Sequence, residues 1–193
     1  MPQCDMVENA WWIAEWGNPC RECGFDWSQS PETAIAAVEA LPDAFDALLA
    51  GRTGDETAAD AHPGEPIWSA KAYVFHVADN LRIFAERLEG VFAGAPTTLA
   101  AYDQDELAAA RNYDAMSLQS ALWSVRTATV TWAAAARASL RRPTTYQHAE
   151  RGELNAAEIT RGPAHDALHH YLDVTRAMAN SATPGSSTPV DDR

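Results

Sequence analysis

Basic residues are scarce in this chain. Lysine occurs once, at Lys71, and lysine plus arginine total 14 against 27 acidic side chains, a formal charge of −13 over 193 residues. Nucleic acids and anionic membranes are bound through a basic footprint, so neither is expected as a partner. Long apolar runs are missing too, and nothing approaches the ~20 residues of a membrane-spanning helix. The opening Met1-Pro2-Gln3-Cys4-Asp5 has no basic stretch leading into an apolar core, so no secretory signal is expected. Cysteine is limited to three. An odd number without a secretory signal favours reduced thiols or a metal site over disulfides. The resulting expectation is a cytoplasmic protein, monomer or homodimer, acting on a small molecule.

What the chain does have is helical periodicity. Residues 1–29 form a lead rich in tryptophan (Trp11, Trp12, Trp16, Trp27) that also carries Cys20-x-x-Cys23. Ser30-Pro31-Glu32 then reads as an N-cap, a first-turn proline and an early acid. Ile35, Val38, Leu41, Phe45, Leu48 and Leu49 recur at helical spacing up to Gly51, with Pro42 expected to kink or split the helix near Leu41. A second helix is predicted from about Trp68 to Phe92, and a short one from Asp105 to Tyr113. A third long helix should follow Ser117 and end at Arg141-Arg142-Pro143. Residues 143–154 read as a turn or a short extended piece. Asn155 with Glu158 three residues later is a capping-box pattern and starts the fourth long helix. Gly162-Pro163 is expected to interrupt that helix just before His165. Residues 181–193, rich in Ser, Thr, Pro and Gly, should be a disordered tail. Four amphipathic segments without a convincing strand predict an all-α fold, a four-helix bundle over residues 30–180.

The most informative chemistry lies in Ala164-His165-Asp166-Ala167-Leu168-His169-His170-Tyr171-Leu172-Asp173. His165 and His169, four apart, stack on one helical face. Leu168 and Leu172 share it, so the imidazoles point inward and need partners. His76, midway along the second helix, is the natural third ligand. Three neutral imidazoles would leave a tetrahedral cation with one open position, the arrangement of catalytic zinc. The alternative is three ordinary core or surface histidines. His170, about 100° round from His169, should not join the site. His62 and His148 fall in loops and receive no role. Tyr73, Asn80 and Arg161 are candidate substrate-binding residues, Arg161 through bidentate capture of a carboxylate. Asp79 and Asp173 are expected to be exposed helix carboxylates, with an outer-shell contact to a histidine as the alternative. Cys20 and Cys23 are candidates for a second, structural metal, with Cys4, His62 or His148 completing it, or else two free cysteines packing the lead. Trp11, Trp12 and Trp16 should bury against the bundle, or act as a lid.

Trp68-Ser69-Ala70-Lys71-Ala72-Tyr73-Val74-Phe75-His76-Val77-Ala78-Asp79 resembles the first-histidine helix of the DinB-like superfamily, and His165 to Val174 resembles its second motif. Cys20-Arg21-Glu22-Cys23-Gly24-Phe25-Asp26 is similar to the opening of a branch common in high-GC bacteria. The resemblance spans roughly Cys20 to Arg176. It implies a four-helix bundle holding a divalent metal, zinc or nickel, through His76, His165 and His169. It also implies chemistry like that of the family's thiol-dependent S-transferases and its mycothiol-dependent maleylpyruvate isomerase. Three functions follow as expectations. The first is a metal-dependent transferase or isomerase that activates a small mycothiol-like thiol, or water, against a small electrophile. The second is a thiol-independent hydrolase, lyase or cyclase of a biosynthetic route. The third is a non-catalytic, metal-stabilised binding or stress-response bundle.

Overall fold

The computed structural model describes residues 10–57 and 68–181. Cys4, His62 and the tail beyond Ser181 lie outside the described residues. The described helices are α1 (Ala10–Trp16), α2 (Pro31–Leu48), α3 (Ala70–Phe92), α4 (Gln104–Arg111), α5 (Leu118–Leu140) and α6 (Ala156–Ser181), with a 3₁₀ turn at Tyr113–Ala115. The predicted starts are set by side-chain caps. Ser30, Ser69 and Ser117 accept hydrogen bonds from the backbone amides of Thr33, Ala72 and Ser120. Asn155 Oδ1 accepts from the amides of Ala157 and Glu158, and Glu158 Oε2 accepts from the Asn155 amide at 2.8 Å, a closed capping box.

The bundle is formed by α2, α3, α5 and α6. The long helices pack mainly as α3 with α5, α5 with α2, α2 with α6 and α6 with α3, with a slighter contact between α5 and α6. The helices therefore follow the cyclic order α2–α5–α3–α6. Consecutive long helices α2 and α3 are diagonal, as are α5 and α6, so two connections must cross an end of the bundle. A simple up-and-down bundle would join neighbours by short loops. Here the α5–α6 crossing is long enough to hold a hairpin.

Neither proline splits its helix. Both α2 and α6 run on through Pro42 and Pro163. Each proline removes one ladder bond, but a bundle helix gains most of its stability from its buried face. Pro42 lies within the buried set Leu41, Pro42 and Phe45. Gly162 has a packing reason: a Cβ there would lie 2.8 Å from Trp12 Cζ2. The glycine lets the indole rest directly on α6.

A small sheet was not foreseen. β1 (Thr98–Leu99) pairs in parallel with β2 (Tyr146–His148), which pairs antiparallel with β3 (Gly152–Leu154). Tyr146, His148 and Leu154 face inward while Gln147 and Glu153 face out. Strands this short lie below the length at which alternation stands out from a polar loop. Asp79 is also corrected: it is 2% exposed, not on the surface. It accepts from Arg111 and, at 2.5 Å, from the Tyr113 hydroxyl, tying the 104–115 segment to α3.

Candidate metal centre and its cavity

The expected trio does not meet at one point. Among the described residues, the metal-ligating side chains whose donor atoms all lie within 4.8 Å of one another form two groups. One is His76, Asp166 and His170. The other is Cys20, Cys23, His165 and His169. The three predicted histidines are thus divided between them, and His170, which was set aside, joins His76.

The cause is the geometry of α6. Asp166 and His170 form one i, i+4 pair, and His165 and His169 form another a residue back, roughly 100° round the helix. The first pair faces α3. His76 Nε2 lies 3.4 Å from Asp166 Oδ2, and His170 Nε2 lies 3.7 Å from Asp166 Oδ1. The His76 and His170 rings meet at right angles, 4.7 Å apart. His76 is 1% exposed, and neither of its ring nitrogens has a hydrogen-bond partner. A buried imidazole that makes no hydrogen bond, with a carboxylate at 3.4 Å, is costly unless a closer partner satisfies it. A cation held with Asp166 and His170 would do so.

The outer contacts fit that role. His170 Nδ1 donates to Asp173 Oδ2 at 2.9 Å, the carboxylate support that ligating histidines commonly have. Asp173 therefore supports a histidine, but not one of the three predicted ligands. Asn80 Nδ2 donates to Asp166 Oδ2 at 2.7 Å, and Asn80 Oδ1 accepts from Tyr102. Burial opposes ionisation of Asp166, yet the adjacent His170 and His76 rings outweigh it and hold the carboxyl below its usual range.

The second pair on α6 faces the lead. Trp16, Phe25 and Trp27 surround His165 at ring distances of 5.3, 5.4 and 4.6 Å. Burial, followed by the neighbouring His169, pushes His165 down to about 3. Burial likewise pushes the Cys23 thiol up to about 12, against the opposing pull of the Phe25 backbone amide.

A cavity of about 280 Å³ opens onto the face of α6 that carries both pairs. Trp11, Trp12 and Trp16 wall one side, and Asn80, Phe84 and Tyr102 another. The hairpin adds His148 and Arg151, and α3 adds Arg87. His148, expected to be idle, is buried on β2, and burial together with Arg151 and Arg87 pushes it down to about 4. Arg151 lies 4.2 Å from the Trp12 ring centroid, and Arg87 lies 4.9 Å from that of Phe84. Neither guanidinium pairs with a carboxylate among the described residues, and Arg87 Nη1 and Arg151 Nε are buried without a hydrogen-bond partner. The other predicted substrate residues do not line the cavity. Arg161 donates to the Gln29 carbonyl at 2.9 Å, fastening the end of the lead. Tyr73 stacks on His170 at 5.3 Å and so supports the site from behind.

The chain is similar to YfiT from Bacillus subtilis. The likeness covers 77% of this chain and 87% of that one, with a TM-score of 0.59 at 15% identity. YfiT is described as a probable metal-dependent hydrolase with an unusual four-helix bundle topology. At that identity the likeness shows the fold, which is the bundle that the DinB-like resemblance implied. No family model matches the sequence, and no curated protein matches it.

The residues that sequence reasoning missed are Asp166, His170, Arg87, Arg151 and Tyr102. Only the first two left a local signal, an acid and an imidazole four apart on α6.

Proposed function

We propose that this chain is a metal-dependent enzyme acting on a small anionic electrophile, with His76, Asp166 and His170 as the ligands of its catalytic cation. The observation that supports this best is His76, fully buried with both nitrogens unpartnered beside a carboxylate and a second imidazole. Two imidazoles and one carboxylate suit a divalent first-row metal and leave coordination positions open. Bound there, a divalent cation supplies Lewis-acid chemistry: it polarises a reactant and acidifies a water or a thiol. The chain's own residues do the rest. Asn80 and Asp173 fix the orientation of Asp166 and His170. The tryptophan wall excludes water from one side of the cavity. Arg87 and Arg151 present unpartnered donors that suit a carboxylate on the substrate.

The nucleophile is a small thiol of the mycothiol class in the first reading, giving an S-transferase or isomerase, as the DinB-like resemblance implies. The likeness to YfiT favours a second reading in which water takes that place and the enzyme is a hydrolase. One experiment tests both. The purified protein, loaded with zinc or nickel, is given carboxylate-bearing electrophiles and esters with and without mycothiol. Turnover only with thiol supports the transferase, and turnover without it supports the hydrolase. Both readings fail if His76→Ala/His170→Ala retains full metal content and turnover. Arg151→Gln should raise KM for an anionic substrate by ~10- to 100-fold, the worth of one charged hydrogen bond.

A further inference from the structure

We infer that Cys20, Cys23, His165 and His169 form a second metal site, a closed tetrahedral zinc centre that fastens the N-terminal lead onto α6. The inference is independent of the catalytic reading, since the two sites share no ligand.

Two sulfurs and two imidazole nitrogens lie within mutual reach of 4.8 Å. Cys20 Sγ is 3.9 Å from His169 Nδ1. Zinc–sulfur and zinc–nitrogen bonds of ~2.3 and ~2.05 Å at the tetrahedral angle place such atoms ~3.6 Å apart, so the Cys20–His169 pair needs only a few tenths of an ångström to close. Cys20, His165 and His169 are all buried, and His165 Nε2 is buried without a hydrogen-bond partner. The other nitrogen of His169, Nε2, faces Glu22 Oε2 at 3.8 Å, and Arg176 holds that carboxylate at 3.4 Å. An outer carboxylate beside the non-ligating nitrogen is a common companion of a zinc-bound histidine.

The loop is already shaped for the task. Cys20 N donates to the Phe25 carbonyl at 2.8 Å and Gly24 N donates to the Cys20 carbonyl at 3.0 Å. Gly24 sits at φ +74°, a backbone conformation that glycine adopts without penalty. The turn thus presents both sulfurs on one side. Four protein donors fill a tetrahedron, so this centre is structural, in contrast to the three-donor site. On binding, each thiol releases its proton to solvent and coordinates as thiolate. The site joins residues far apart in sequence and holds Trp16, and through the stacked pair Trp12 and Trp27, as the cavity wall.

The test uses cobalt(II) in place of zinc in the full chain, reduced, in a Cys4→Ser background so that only Cys20 and Cys23 carry thiols. We expect about one equivalent of cobalt to bind with thiolate-to-metal charge-transfer absorption, beyond any held by the three-donor site. This band should persist in His76→Ala/His170→Ala and vanish in Cys20→Ser/Cys23→Ser. Absence of the charge-transfer band in the Cys4→Ser protein overturns the proposal, as does its loss in the His76→Ala/His170→Ala variant. Should the double serine variant fail to fold, thiol reactivity decides. In the zinc-loaded Cys4→Ser protein both thiols should resist a disulfide reagent and react after chelation; equal rates before and after refute the site. Failure of the catalytic reading would show differently, as unchanged metal content in His76→Ala/His170→Ala.

Discussion

Asp173 carries no ligand atom, yet its carboxylate fixes the ring of His170. Replacing it with Asn keeps the shape and removes the charge. Outer-shell changes of this kind typically cost 10- to 100-fold in metal affinity or activity. Asp173→Asn should therefore weaken metal binding at the open site by at least about tenfold, read by competition with a chromophoric chelator, while the bundle melts within a few degrees of wild type. Unchanged affinity would remove His170 from the ligand set. The same residues show how far the sequence could be read. That α6 carries buried side chains able to ligate a metal at i, i+4 spacing was legible. Which of two adjacent pairs faces α3 was not, because the 100° step between them is fixed by how α6 rolls against its neighbours. Asp166 gives a weaker local signal than the imidazoles, although a carboxylate is an equally good ligand for a hard cation. Cys20 and Cys23 gave a local half-site, but nothing local names His165 and His169 as its other half.

At the scale of elements, the lead and α6 are matched through one atom-sized gap. Alanine at Gly162 would gain ~1 kcal/mol of helix propensity over glycine. Its Cβ, however, would stand 2.8 Å from an indole that is itself stacked on Trp27 and covered by Arg151. Overpacking of this kind costs ~1–3 kcal/mol. Gly162→Ala should therefore destabilise the protein by about 1 kcal/mol net in urea unfolding. In a Trp12→Ala background, where the space is open, the same change should stabilise it. A change of sign between backgrounds identifies the contact, and equal effects would dismiss it. A second element-scale prediction concerns Asp79. Asp79→Ala should cost ~2 kcal/mol, the range for hydrogen bonds to a charged group, and should expose the 104–115 segment to proteolysis. Capping residues and periodicity made the long helices legible to within a residue or two. The three short strands, the unbroken passage through two prolines and the burial of Asp79 are tertiary outcomes, decided by packing partners distant in sequence.

For the molecule as a whole, acid stability follows from histidines held neutral in the fold. His148 is buried, and burial first, then the Arg151 and Arg87 cations, push it down to about 4. In the unfolded chain it titrates near ~6.5. Between those values the unfolded state binds the proton and the folded state does not, so stability falls as pH is lowered from about 6.5 toward about 4 and is unaffected above that window. The slope is ~1.4 kcal/mol per pH unit for one such group. Lowering the pH also relieves the self-repulsion of a chain of net charge −13, which works the other way, so the total slope does not isolate the histidine. Comparison with His148→Gln does. With chelator present to remove metal contributions, urea midpoints of the two proteins should converge as pH drops from 7 to 4, because only the native chain carries the penalty. The His148 ring should titrate near 4 by NMR in the folded protein. Parallel pH profiles, or a ring that titrates near 6.5, would mean that the hairpin leaves His148 open to water and that the two guanidiniums are not fixed beside it in the cavity.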